Sequence, residues 1–316
     1  MDQAPGIALQ LLQSILVVSA APLVLGWVNM CRAWLQNRSA PSIRLPYYTL
    51  VKLFHKDAVI ASTTSPIFRV TPYVLFGCMW LAAGIVPVLA TDLPFAPAAD
   101  IIALVGLFAT ARVFAALAAM DTGTSFGGLG ARREMLVGFL AEPAMLMTLF
   151  TAAFISGSTQ LTTIVESLAH REFAIYPSLA FAAVAFLMVL LAENARIPVD
   201  NPATHLELTM LHEAMILEYS ARHLALVEWA AAIKLVVYMT IGFALFAPWG
   251  IAEAGDWGAM PLALAALAGK LALAGAGLAL IETFLAKMRL FLVSEFLSGA
   301  FLLAVLGMLT HFLVRG

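Results

Sequence analysis

Eight stretches of about 20 apolar residues, each long enough to cross the hydrocarbon core as a helix, recur along this 316-residue chain and constrain its fold more than any other feature. They fall at 7–30, 72–91, 101–120, 135–157, 174–193, 223–248, 260–282 and 290–314. In lipid every backbone N–H and C=O must be satisfied internally, which leaves helices as the reading for runs of this length. Composition points the same way. Charged residues make up 11% of the chain and hydrophobic residues 62%, whereas a soluble domain carries about 25% charged residues. Too few polar side chains remain to cover a water-facing surface. The expected fold is an all-α, polytopic integral membrane domain over the whole of 1–316. Its first stretch follows Asp2 rather than a basic region, and it is longer than a signal-peptide core, so it is expected to stay as the first span. The Ala-, Leu- and Gly-rich run from Leu262 to Leu280 suits close helix packing.

The connections between spans are unequal. Segments 31–71 and 194–222 are long and polar, and Asp121 to Glu134 is shorter and glycine-rich, with Gly123, Gly127, Gly128 and Gly130. The first of these holds Arg32, Arg38, Arg44, Lys52, Lys56 and Arg69. Arg132 and Arg133, Arg196 and Arg222, and Lys287 and Arg289 fall in the other connections on the same side, whereas the opposite side has only Arg171 and Arg315. This asymmetry predicts cytoplasmic basic loops and both termini on the outer, periplasmic side. No basic tract suggests nucleic acid. Cys31 and Cys78 are too few for a zinc or iron–sulfur site, so any metal or cluster electron carrier is expected on another polypeptide. The glycines after Asp121 lack the lysine and hydroxyl ending of a phosphate loop, and are expected to permit tight turns against a partner. His212-Glu213 has no second histidine at zincin spacing, because Ile216 stands there, and no Gly-x-Ser-x-Gly elbow occurs.

Ionisable residues inside spans are costly and are functional candidates by default. Arg112, Glu142, Glu193, Glu228, Lys234, Lys270, Glu282 and Glu295 lie in or near spans. Glu142 precedes Pro143, which strips a backbone carbonyl of its partner beside the carboxyl. The densest constellation runs from Glu193 through Arg196, Asp200, His205, Glu207, His212 and Glu213 to Glu218. Asn201-Pro202 reads as the start of a helix, on which Glu207 and Glu218 fall close to one face. Stacked carboxyls there can relay protons, although periodicity alone favours an ordinary solvated helix.

Several blocks of this sequence resemble a known family. Leu50-Val-Lys-Leu-Phe-His-Lys, Ile67-Phe-Arg-Val-Thr-Pro-Tyr, Asp121-Thr-Gly-Thr-Ser-Phe-Gly-Gly, Arg133-Glu-Met, Ala141-Glu-Pro, and the stretch from Glu193 to Tyr219 occur in order. They resemble the complex I subunit 1 family, most of all the membrane subunit of group 4 NiFe hydrogenases of the formate hydrogenlyase subunit 4 type. The resemblance implies an eight-span subunit whose cytoplasmic loops dock a peripheral redox arm. It implies proton-path or coupling roles for Glu142, Glu193, Arg196, Asp200, Glu207 and Glu218; Glu213 belongs to the same stretch, and Arg112, Lys234 and Lys270 are expected to tune the carboxyls by charge proximity. It implies as partners a NiFe large subunit, an iron–sulfur small subunit and an antiporter-like membrane subunit, with the NiFe centre and clusters on those chains. Complex I members carry further acidic residues between Asp200 and Glu207, where this chain reads Asn201-Pro-Ala-Thr-His, and a Gly-Pro-Asn text where it reads Ser39-Ala-Pro-Ser-Ile-Arg. Both departures turn the expectation from quinone chemistry to the hydrogenase group.

Overall fold

A computed structural model describes residues 4–91, 100–170, 177–200, 212–252, 258–288 and 290–315. Each of the eight apolar stretches holds a helix: α1 (Ala4–Leu35), α3 (Pro66–Ile85), α4 (Ile101–Asp121), α5 (Ser125–Ser156), α7 (Pro177–Glu193), α9 (Ala221–Phe246), α10 (Met260–Phe284) and α11 (Leu290–Arg315), though the second stretch, expected at 72–91, starts earlier and leaves the helix after Ile85. Seven of them are long and apolar enough to cross a membrane; α7 is apolar but has only 17 residues. It packs along the length of a span nonetheless. Gly307 of α11 lies against the Ser178 carbonyl near the start of α7, and the Met288 amide donates to the Pro198 carbonyl just past its end. The two helices therefore run antiparallel, and the chain is a multi-pass α-helical membrane protein.

The helix interfaces are built from small residues. Ala82, Ala83, Ala141, Ala144, Ala182 and Ala185 are fully buried, which lets backbones approach where apolar burial supplies no drive in lipid. Large side chains such as Phe139, Leu273, Leu302 and Leu313 are exposed on the outside of the bundle, where acyl chains solvate them. Two spans carry internal prolines whose freed carbonyls find new donors. Pro22 cannot serve the Val18 carbonyl, which accepts from the Trp229 indole at 2.9 Å. Pro72 likewise frees Phe68 O, which accepts from the Tyr219 hydroxyl at 3.1 Å. The Tyr219 ring stacks on Phe68 with centroids 4.1 Å apart, and burial raises the Tyr219 pKa well above its ordinary value, so the hydroxyl remains a donor.

The structure changes the reading of the connections. Segment 31–71 contains α2 (Leu45–Phe54) and the first turns of α3. The Tyr47 hydroxyl of α2 donates to the Ser19 carbonyl of α1. On the opposite face of the bundle a further short helix, α6 (Leu161–Ala169), follows α5. The glycine-rich stretch is helix from Ser125, not loop. Gly127 sits so close to the Ala119 carbonyl of α4 that a Cβ there would collide with it. Its glycine lets α5 leave α4 tightly within this chain. The neighbouring polar residues serve the same corner: Asp121 accepts from the Ser65 amide at 2.7 Å, and Thr124 caps α5 by accepting from Gly127 N. In segment 194–222, α8 (His212–Ile216) ends before Glu218.

Candidate functional site in the buried charge network

The site begins where α7 stops. Arg196 N donates to Leu191 O at 2.9 Å and Ala195 N to Ala192 O at 3.2 Å, the pair of bonds of a Schellman cap. Ala195 occupies the left-handed position with φ 49°. The cap leaves Glu193 as the last helical residue of a short span, and the chain beyond it is irregular. Irregular backbone within a membrane protein is stable only where it is buried or lines a polar cavity. Here it does both, since Arg196 and Asp200 are buried and both line a cavity of about 440 Å³.

Three helices bring charges to Glu193. Arg112, near the middle of α4, is 6% exposed. It lies roughly 14 Å from that helix's basic-side end at 1.5 Å per residue. Its guanidinium hydrogen-bonds Glu193 of α7 and Glu142 of α5. Lys234 of α9 donates to the Glu193 carboxylate at 2.9 Å and to its backbone carbonyl at 2.7 Å. Glu134, also of α5, lies 4.0 Å from Arg112 Nε. Gly138 makes the arrangement fit: a Cβ there would overlap the guanidinium and its neighbouring methylene.

A second group stands on another wall of the same cavity. Glu282 of α10, 4% exposed, accepts from Arg196 at 3.1 Å and from Arg32 of α1 at 3.4 Å. Asp200 accepts from Lys287 at 2.8 Å and from the His212 amide at 3.3 Å. The first group holds three carboxylates and two cations, the second two carboxylates and three cations. The two therefore carry opposite charge excess when fully ionised, and they attract each other across the space between them. Between them the walls are mixed, with Leu25, Met79 and Phe108 beside Glu213 and Glu228.

Of the residues expected to act, Arg112, Glu142, Glu193 and Lys234 meet in one network, and Arg196 and Asp200 in the other. Glu213 lines the cavity. Glu218 is exposed beyond the end of α8, off any shared helix face, and Glu295 is exposed on α11. His205 and Glu207, with the helix start at Asn201-Pro202, lie outside the described residues. Lys270 does not join a carboxylate among the described residues. Its ammonium donates to the Ala247 and Trp249 carbonyls at 2.7 and 2.6 Å, where α9 ends. Glu134, Arg32 and Lys287 were passed over in the sequence because each sits near a span end, where a charge is ordinary.

A family model described as NADH dehydrogenase matches residues 7–312. Among curated proteins, the chain is 32% identical over 280 residues to formate hydrogenlyase subunit 4 of Escherichia coli K12, covering 89% of this chain and 90% of that one. It is 35% identical over 244 residues to hydrogenase-4 component C of the same strain, covering 77% and 76%. An NADH-quinone oxidoreductase subunit of Bacteroides fragilis is more distant, 25% identical over 70% of this chain and 57% of its own. Among solved structures, a chain of the membrane-bound sulfane sulfur reductase, an archaeal respiratory membrane complex, superposes with a TM-score of 0.81. That match covers 96% of this chain and 99% of the other at 18% identity, and it shows the common fold.

Proposed function

Because this chain belongs to the NADH dehydrogenase family, we propose that it is the membrane anchor and coupling subunit of a membrane-bound NiFe hydrogenase complex of formate hydrogenlyase type. In this reading its basic face docks a peripheral arm made of a NiFe large subunit and an iron–sulfur small subunit, which carry the redox centres. An antiporter-like subunit lies beside it in the bacterial cytoplasmic membrane, and both termini face the periplasm. Glu142, Glu193, Asp200, Glu207 and Glu213 carry protons, Arg112, Lys234 and Arg196 set which carboxyls hold them, and Glu218 is the entry on the exposed side. The observation that carries the reading is the bridge Glu142–Arg112–Glu193–Lys234, held at bilayer depth beside a cavity with charged walls. A charge in the membrane interior is expensive to keep, and a chain that only needed an anchor would bury fewer. The relatives named above support the complex: formate hydrogenlyase subunit 4 and hydrogenase-4 component C are 32% and 35% identical to this chain over most of their lengths.

The test is to tag the chain, purify it gently from native membranes, identify its companions and assay hydrogen evolution. A NiFe large subunit with hydrogenase activity is the expected result, and its absence overturns the reading. With the complex in vesicles, Glu142→Gln is then expected to leave assembly intact and abolish proton movement; unchanged movement removes the proton role. A quinone chamber is the second reading. The cavity volume favours it, since small-molecule sites span about 300–1,000 Å³. That reading predicts quinone-dependent electron transfer that quinone-site inhibitors block.

A further inference from the structure

Arg112 makes fewer bonds than its surroundings allow. Its Nε is buried without a hydrogen-bond partner, and Glu134 Oε1 lies 4.0 Å from it, too far for a bond. A buried guanidinium N–H left without an acceptor is unfavourable, so the gap is either bridged or closed by movement. Three further facts bear on which. Glu134, Gly138 and Glu142 follow one another at four-residue steps, so they form a row on one side of α5. Gly138 is a notch under the guanidinium, with no side chain to stop it sliding along that row. Glu134 and Arg112 both line the cavity, whereas Glu142 is not among its walls and has a side chain 32% exposed.

We propose that Glu134 is a second seat for Arg112, and that the guanidinium moves between Glu142 and Glu134 across Gly138 while Glu193, itself held by Lys234, keeps its other end. This deepens the proton-carrying reading above and rests on it for its consequence. With Arg112 on Glu142, that carboxyl is stabilised as the anion. With Arg112 on Glu134, Glu142 has no cation at bilayer depth, and its carboxyl takes up a proton from the donor that the proton path brings to it. The return of Arg112 passes the proton on to the next base of that path. Glu134 touches neither that proton nor its acceptor. It is a positioning residue, acting through Arg112.

The direct test is the structure of the assembled complex carrying Glu142→Gln, which weakens the first seat without changing its shape. The expected result is an Arg112 N–H within about 3.2 Å of a Glu134 oxygen. A guanidinium still lying over Gly138 with the gap to Glu134 unclosed would falsify the proposal. Glu134→Gln and Glu134→Asp give a second reading in vesicles. Protons moved per hydrogen evolved are expected to fall at least tenfold in Glu134→Gln and to recover in Glu134→Asp, a rescue that a packing role would not produce. An unchanged ratio in Glu134→Gln overturns the proposal. If the wild-type complex moves no protons, the proposed function falls, and the position of Arg112 in Glu142→Gln still decides whether the second seat exists.

Discussion

Lys234 and Lys270 are the two lysines that fall within spans, in the middle of α9 and of α10. Nothing in their flanking residues tells them apart, yet they end in opposite circumstances. Lys234 divides its bonds between a carboxylate and the backbone at the end of α7. Lys270 gives both of its bonds to carbonyls at the end of α9, with the Phe243 ring 5.8 Å away. A backbone carbonyl cannot change its protonation state, whereas a carboxylate can. An intramembrane lysine is therefore a functional candidate only through what it faces, and the same cation serves in one place as a helix cap and in the other as part of a titratable network.

The contrast can be broken at four points, in decreasing order of effect. Arg112→Met leaves Glu142 and Glu193 without their shared cation; breaking a buried pair in this way costs about 3–5 kcal/mol. The expected outcome is little assembled complex in membranes, measured by yield and thermal stability. Lys270→Met strips two carbonyls of their donor, costing about 1–3 kcal/mol, which should lower the melting temperature while the protons moved per hydrogen evolved stay the same. A lost ratio in that variant would erase the distinction between the two lysines. Lys234→Met keeps Glu193 paired with Arg112, so the complex should assemble, and the ratio should fall about tenfold, the equivalent of 1.4 kcal/mol. Ala195→Gly has the smallest effect. Removing the Cβ from the left-handed cap position relieves about 1 kcal/mol, read as a small rise in melting temperature with coupling intact.

The spans were legible because hydrocarbon thickness imposes a length that apolar runs either reach or do not, and α1, α4, α10 and α11 announce themselves on that ground. The short helices were not. α2 and α6 are each a few turns of mixed residues whose helicity comes from the surfaces they rest on, and sequence periodicity over so few turns is weak. Glycine misled the reading of 121–134 because it punctuates turns and also permits close contact, and Gly127 does the latter. At the site, Arg112, Glu142, Glu193 and Lys234 were each visible as charges in apolar surroundings. Their pairing was not, because it depends on how four helices rotate against one another. Glu282 shows the limit most clearly: visible as an ionisable residue in a span, it revealed nothing of the two arginines that meet on it from α1 and from the segment after α7.

The strap formed by residues 285–288 has a consequence for how the protein is made. α10 packs against α1 and α9, while α11 packs against α5 and α7, so the last two helices lie on different flanks and the strap between them runs across the end of the bundle. Arg196 and Asp200 receive Glu282 and Lys287 from that region, at separations of 86 and 87 residues. A nascent chain that has inserted its helices in order, through α9, still presents Arg196 without Glu282 and Asp200 without Lys287. Glu282 and Lys287 reach them only when α10 and the segment after it arrive, so the charge network is completed late in the insertion of the bundle.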